Sequence, residues 1–217
     1  MTTRPDISVK AVRGSLLYFG IASIVAGILT LIWGVCTIGS FESALGWAGR
    51  LDTMNLLVPI GFILLAAGMS CLAYAYVSSI GYASGVLLCV LAAVIWAIRF
   101  VRPSGLFELR ASYILQGSML LVAMAVTFYA VKEISLKVGP TMLMLIGYYF
   151  VLVFGVLGGV GYLAIASLNA DAVRAGVWSA GGGAILGGVA GLLLSLTFLR
   201  TSGRKQEVLS TTKAKRR

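Results

Sequence analysis

Few side chains in this 217-residue chain could do chemistry, and their spacing narrows the choice further. There is no histidine. Haem ligation usually begins with that residue and catalytic zinc leans on it heavily, so neither cofactor is expected. Cys36, Cys71 and Cys89 each stand in apolar sequence without C-x-x-C spacing. That pattern fits small packing residues better than a redox pair or a lipidated thiol. Ala83-Ser84-Gly85 has the outline of a nucleophile fragment, but no histidine or obvious lysine stands ready to take the hydroxyl proton. No catalytic residue, cofactor or metal ligand is nominated, and the reading leans away from an enzyme.

Among polar side chains in apolar sequence, Gln116 is the largest, and it should face another helix or a cavity rather than lipid. The hydroxyls of Ser23, Thr30, Ser70, Ser84, Ser118, Thr127, Ser179 and Ser195 can bond back to their own helices. Arg99, Arg102 and Arg110 gather around Pro103 and Glu108. They could collect an anion, although snorkelling to headgroups is the commoner role.

Glycine carries the strongest positive pattern: 27 of 217 residues, about 12% against a usual figure of about 7%. Gly183, Gly187 and Gly191 recur every four residues and are expected on one helix face, as are Gly155 and Gly159. Gly20, Gly27 and Gly34 recur every seven and make another seam. A face without side chains lets two backbones approach, gaining dispersion and Cα–H···O contacts that lipid cannot match. Such seams serve packing within the chain or docking of another subunit. The run Gly181-Gly182-Gly183 is also a candidate break within a span, where backbone groups could meet a solute.

The elements that must hold these residues are apolar and long. The chain is 59% hydrophobic and 11% charged, with mean hydropathy +1.00, too little polar surface to face water all round. Six stretches match a hydrocarbon core of about 30 Å: Ser15–Ile38, Asn55–Val77, Ile80–Ile98, Tyr113–Val131, Met142–Ala166 and Gly176–Leu199. The expected fold is an all-α bundle of six transmembrane helices spanning residues 15–199. A short cytoplasmic segment, 1–14, precedes it, and a basic tail, 200–217, expected to be disordered, follows. The first stretch is too long for the apolar part of a cleaved signal and is read as a helix that stays. Only Ser78-Ser79-Ile80-Gly81 separates the second and third stretches, which predicts a tight hairpin.

The net charge of +10 first suggests nucleic acid. Its distribution points to a membrane instead, because seven basic residues lie in the last eighteen positions. Arg204, Lys205, Lys213, Lys215, Arg216 and Arg217 are expected to hold the tail at anionic lipid. With six spans, twelve basic residues fall on the side of the termini and five on the other, so positive-inside places both termini in the cytoplasm. The two ends of the chain decide that count, since the loops alone run two against five. Trp33, Trp47, Trp96 and Trp178 then share the opposite side, where indoles suit the headgroup level. The plasma membrane is the expected location, or the endoplasmic reticulum if the source is eukaryotic.

Two segments, Phe100–Gly105 (FVRPSG) and Phe198–Gly203 (FLRTSG), close the third and sixth stretches. At the same offset Gly85 meets Gly183, and at an offset one shorter Gly20 meets Gly117. A 3+3 inverted repeat would produce such matches, though apolar helices also resemble one another by composition. Two functions follow from these features. The first is a non-catalytic subunit of a membrane complex, with lipids, other membrane subunits or a second copy as partners and no nucleic acid. The second is a passive channel or transporter for a small neutral solute.

Overall fold

A computed structural model describes residues 9–42, 47–101 and 104–214, with side chains described for 9–41, 53–101 and 104–203. It contains six helices: α1 Val9–Glu42, α2 Trp47–Tyr76, α3 Ser79–Val101, α4 Leu106–Val138, α5 Met142–Ile165 and α6 Ala170–Ala214. Each holds an apolar stretch long enough to cross a bilayer, and no strand occurs among the described residues. The chain thus has the architecture of a six-span, multi-pass membrane protein.

Several helices outrun their apolar stretches. At 34 residues α1 is about 50 Å long, well beyond a hydrocarbon core of about 30 Å. α6 runs as helix to Ala214, in place of the disordered tail expected from residue 200. Arginine, lysine, glutamine and glutamate are good helix formers, so a helix already nucleated in the span continues through them. The side chains of Arg204, Lys205 and Lys213 lie outside the described residues, as do Lys215, Arg216 and Arg217, Arg102, Pro103 and the indole of Trp47.

The helices pack as a ring in chain order, each against its neighbours, and α6 closes the ring on α1. Both sides of each helix are apolar, so a polar stripe does not set orientation. On α1, Leu17, Ile21, Ile28, Ile32 and Val35 face outward, while Leu16, Phe19, Ala26 and Trp33 are buried. The outward set suits lipid tails, and the inward set is chosen by shape. In lipid, close packing rather than release from water decides which face turns in.

Several glycines stand where helices of the ring approach closely. A Cβ on Gly27 would lie 2.9 Å from the Gly188 carbonyl oxygen, and one on Gly34 would lie 2.6 Å from that of Gly181. Gly20 meets Leu199 on the same α1–α6 seam. Gly155 and Gly159 face α4, where Gly159 meets the carbonyl of Gly117. The row Gly183, Gly187, Gly191 does not stay on one neighbour as its spacing suggests. Gly183 and Gly187 meet Phe154, Leu157 and Gly158 of α5, whereas Gly191 meets Ser23 and Gly27 of α1. Each step of four residues turns about 40° past a full circle, so a row of three walks from one neighbour toward the next.

The triple glycine is not a break. α6 is helical throughout it; Gly181 faces α1, Gly183 faces α5, and Gly182 has no atom within 4 Å of its Cβ position. A helix wedged between two close partners requires bare backbone on both flanks. The glycines paired by the repeat behave unequally. Gly85 and Gly183 each meet the preceding helix, while Gly20 turns to α6 and Gly117 turns forward to α5.

The hairpin between α2 and α3 is tighter than expected, only Val77 and Ser78. Val77 has φ +50°, costly for a β-branched residue. Neighbours hold it there. Ser78 Oγ accepts from Gly81 N–H at 3.0 Å and donates to Glu133 Oε2 at 2.7 Å. Lys137 Nζ donates to the carbonyls of Tyr76 at 3.0 Å and Val77 at 3.3 Å, and pairs with the Glu133 carboxylate. A cation on the last carbonyls of a helix satisfies orphan acceptors and complements the dipole. Arg110 does the same for α5, donating from Nε to the Ala166 carbonyl at 2.9 Å.

Candidate functional site

The end of the ring opposite the termini forms a half-open cavity of about 470 Å³, a size typical of small-molecule sites. All six helices line it. Helical spacing brings pairs one turn apart onto the inner face: Trp33 and Thr37 of α1, Ile95 and Arg99 of α3, Ser112 and Gln116 of α4, Val173 and Val177 of α6. α2 contributes Asn55, and α5 contributes Tyr162.

Three aromatic rings form a ladder across it. Tyr162 stacks between Trp33, with centroids 6.3 Å apart, and Tyr113, at 6.2 Å. Trp33 is 5% exposed and donates its indole N–H to Asn55 Oδ1 at 2.9 Å. It lies at the expected end of α1 but turns inward, so it is not a headgroup anchor; a buried indole needs a partner, and Asn55 supplies one. Trp178, 48% exposed, suits the anchoring role, and Trp96 donates to the Leu56 carbonyl at 3.0 Å. Pro59, one turn beyond Asn55, has no N–H to give the Asn55 carbonyl.

The polar groups of the cavity divide into spent and unspent. The hydroxyls of Thr37, Ser40 and Ser112 donate to carbonyls of their own helices at 2.8, 2.9 and 2.7 Å. Their oxygens remain acceptors. With Asn55 Oδ1 occupied by Trp33, the amide NH₂ of Asn55 remains a donor. The Gln116 amide and the Tyr113 and Tyr162 hydroxyls make no hydrogen bond to any described residue. None of them is a buried unsatisfied group, and all three residues line the cavity. A solute would meet donors and acceptors on a largely apolar, aromatic wall. Arg99 lines the rim and is itself engaged in a contact. Glu108 is drawn away, accepting from Ser104 N–H at 2.8 Å and Ser104 Oγ at 3.0 Å. With Arg110 on Ala166, the described members of the arginine cluster do not converge on one point.

Toward the termini the ring is filled. A chamber of about 40 Å³ remains at mid-bundle, lined by Ser23, Thr30 and Thr127 among apolar side chains. Below it Phe19 and Phe198 meet edge to face with centroids 4.8 Å apart, both 1% exposed or less. The other intramembrane hydroxyls are mostly occupied locally: Thr30, Ser70, Thr127 and Ser195 donate to carbonyls of their own helices. Ser179 reaches across to the Leu157 carbonyl at 2.8 Å, and Ser84 pairs with Thr127 at 2.9 Å. Of the cysteines, Cys36 is buried, while Cys71 and Cys89 are exposed on the outer wall rather than packed inside.

Sequence reasoning singled out Gln116 but not Asn55, Tyr113 or Tyr162. The signal available was the one-turn pairs near the same ends of alternate stretches. Comparison with protein-family models, curated proteins and solved structures finds no match to this chain.

Proposed function

We propose that this protein is a passive facilitator for a small uncharged polar solute, which loads into the cavity opposite the termini. One observation carries the reading: Gln116, Tyr113 and Tyr162, whose polar ends are unspent, line a cavity of about 470 Å³ shared by every helix. A wall shared by six helices changes shape when any pair shifts, which suits a site that must open and close. No ionisable side chain lines the mid-bundle chamber, and such groups ordinarily couple transport to protons or ions. Flux is therefore expected to run down the solute's own gradient.

The assembly-subunit reading drew on glycine seams as docking faces. Those glycines that approach another helix do so within the ring, so their presence is accounted for without a partner. The basic tail, Arg204 to Arg217, is proposed to lie against an anionic leaflet with both termini cytoplasmic.

Purified protein in liposomes, tested by osmotic swelling with a graded series of neutral solutes, addresses the proposal. Saturable flux that ignores an imposed proton gradient and falls in Gln116→Leu is the expected outcome. Liposomes no leakier than empty ones to every solute would end it, most of all if deleting the gene depleted particular membrane proteins.

A further inference from the structure

Ser23 is the one buried side-chain polar group without a partner among the described residues. It is 1% exposed and lines the chamber of about 40 Å³ near the middle of the bundle. Serine in a membrane helix usually satisfies itself by donating to a carbonyl one turn back. Thr30 and Thr127, on the same chamber, do so at 2.7 Å each. Ser23 does not, and its own backbone carbonyl lies against Gly191, where a Cβ would come within 2.8 Å. The close α1–α6 seam therefore passes directly beside it.

We propose that this chamber is a hydration site in which Ser23 Oγ holds water. A buried water typically makes two to four hydrogen bonds and needs about 10–15 Å³ of accessible space, so the chamber has room for more than one. The partners are complementary. Ser23 offers both a hydrogen and lone pairs, while Thr30 Oγ1 has spent its hydrogen on Ala26 and can only accept. Thr127 Oγ1 has likewise donated to Ala123, and it accepts from Ser84. A water accepting from Ser23 and donating toward Thr30 completes the set. Phe19, Phe62 and Phe154 stand among the apolar side chains of its wall, which favour slow exchange of such water with bulk.

The chamber's place on a solute route rests on the facilitator reading; its hydration does not. Thr30 lines the chamber and Trp33 lines the outer cavity, three residues on, a separation of about 4.5 Å along α1. Under that reading the chamber is the next station inward from the loading site, and it suits a hydroxyl or water-sized group.

Hydroxyl-radical footprinting of the full-length protein in nanodiscs tests the site, because radicals born from trapped water mark the side chains beside it. Met124 lines the chamber; Met69 is equally buried but lies outside its lining. Met124 should be oxidised well above Met69 in the wild type and fall to the Met69 level in Ser23→Ala. Melting temperature supplies a second readout of opposite sign for the two cases. Removing a dry, unsatisfied hydroxyl would raise it, whereas removing the anchor of a bound water should lower it or leave it unchanged. Equal labelling of Met124 and Met69 in wild type, or a stabilised Ser23→Ala, would overturn the hydration site. Wild-type liposomes that pass no solute while Met124 is still labelled would leave the site standing and remove it from any route.

Discussion

The same six helices make two unlike ends. Opposite the termini they stand around a cavity whose wall carries amides, phenols and an indole. At the termini they close on Leu16, Phe19 and Phe198, each 1% exposed or less, with α4 holding the α2–α3 hairpin through Glu133 and Lys137. The difference does not come from hydropathy, since both ends belong to helices of similar apolar content. It comes from side-chain shape along each helix. Edge-to-face phenyl rings fill the space at one end, while at the other, rings stacked flat around the wall and short polar groups leave room. Where water is not the solvent, packing alone separates a plug from a site.

The sharpest way to break this contrast is to empty the plug. Phe19→Ala should cost about 3 kcal/mol, toward the low end for such truncations, because in lipid only the cavity and packing part of the loss applies. The check is thermal unfolding in a fixed detergent, alongside leak of small solutes from liposomes. Leak without solute selectivity is expected if Phe19 and Phe198 are the seal.

Next in size is the glycine seam. At Gly188 a Cβ would lie 2.5 Å from Leu31 Cβ and 2.7 Å from the Gly27 carbonyl oxygen. Gly188→Ala should therefore cost about 2 kcal/mol as α1 and α6 are pushed apart. Gly182, six residues earlier, has open space at its Cβ position. Gly182→Ala should stabilise by up to about 1 kcal/mol through helix propensity and lost unfolded-state freedom. Opposite signs for two alanines in one helix, read as melting temperatures, would tie the effect to contact rather than to residue type.

Those two glycines also mark what could be read in advance. Six apolar runs separated by turns and charges gave the number and order of the helices directly, because length and hydropathy decide what crosses a bilayer. The glycine spacing suggested close-packing faces, but it named no partners. Whether Gly191 follows Gly187 to α5 or turns to α1 depends on the ring closing between α6 and α1, a contact nearly the length of the chain apart. The cavity was hidden for the same reason. Trp33 and Gln116 were each noticed, one as a headgroup anchor and the other as an amide facing another helix or a cavity, yet nothing local places them on one wall. Tyr113 and Tyr162 were not singled out, since their free hydroxyls are visible only once the neighbours are known. Lys137 counted toward topology, while its grip on the α2 carbonyls, and that of Glu133 on Ser78, depended on a fold that brings residues 76 and 137 together.

That grip should be worth less than the packing. Lys137→Met keeps the aliphatic stem but removes the donor to the Tyr76 and Val77 carbonyls and the partner of Glu133. A charged hydrogen bond to a part-exposed site argues for a loss of about 1 kcal/mol, after allowing for screening by solvent. Hydrogen exchange is the direct measure. Amides at the start of α3, which depend on the hairpin holding Val77 at positive φ, should exchange faster, while α5 amides near Ala166, capped by Arg110, should not. Uniformly faster exchange would mean that the clamp supports the whole ring and that the sealed end is less independent than its geometry indicates.

The smallest effect on stability should come from the open end, and it is the most informative. Gln116 is half-buried on the cavity wall and makes no hydrogen bond to any described residue. Replacing it with leucine removes no internal contact of that kind and adds no clash that a roomy cavity cannot absorb. Gln116→Leu should therefore change stability by no more than about 0.5 kcal/mol, as for positions outside packed or bonded networks. Its consequence should appear in function instead. A solute that exchanged hydrogen bonds with water for bonds with the amide now meets an apolar wall, and leaving its polar group unpaired costs about 1–3 kcal/mol. That corresponds to roughly a five- to 150-fold weaker apparent affinity in the swelling assay. A stable variant with wild-type flux would detach Gln116 from the solute. A variant as destabilised as Phe19→Ala would mean that the amide holds the ring together, and the two ends would no longer divide into seal and site.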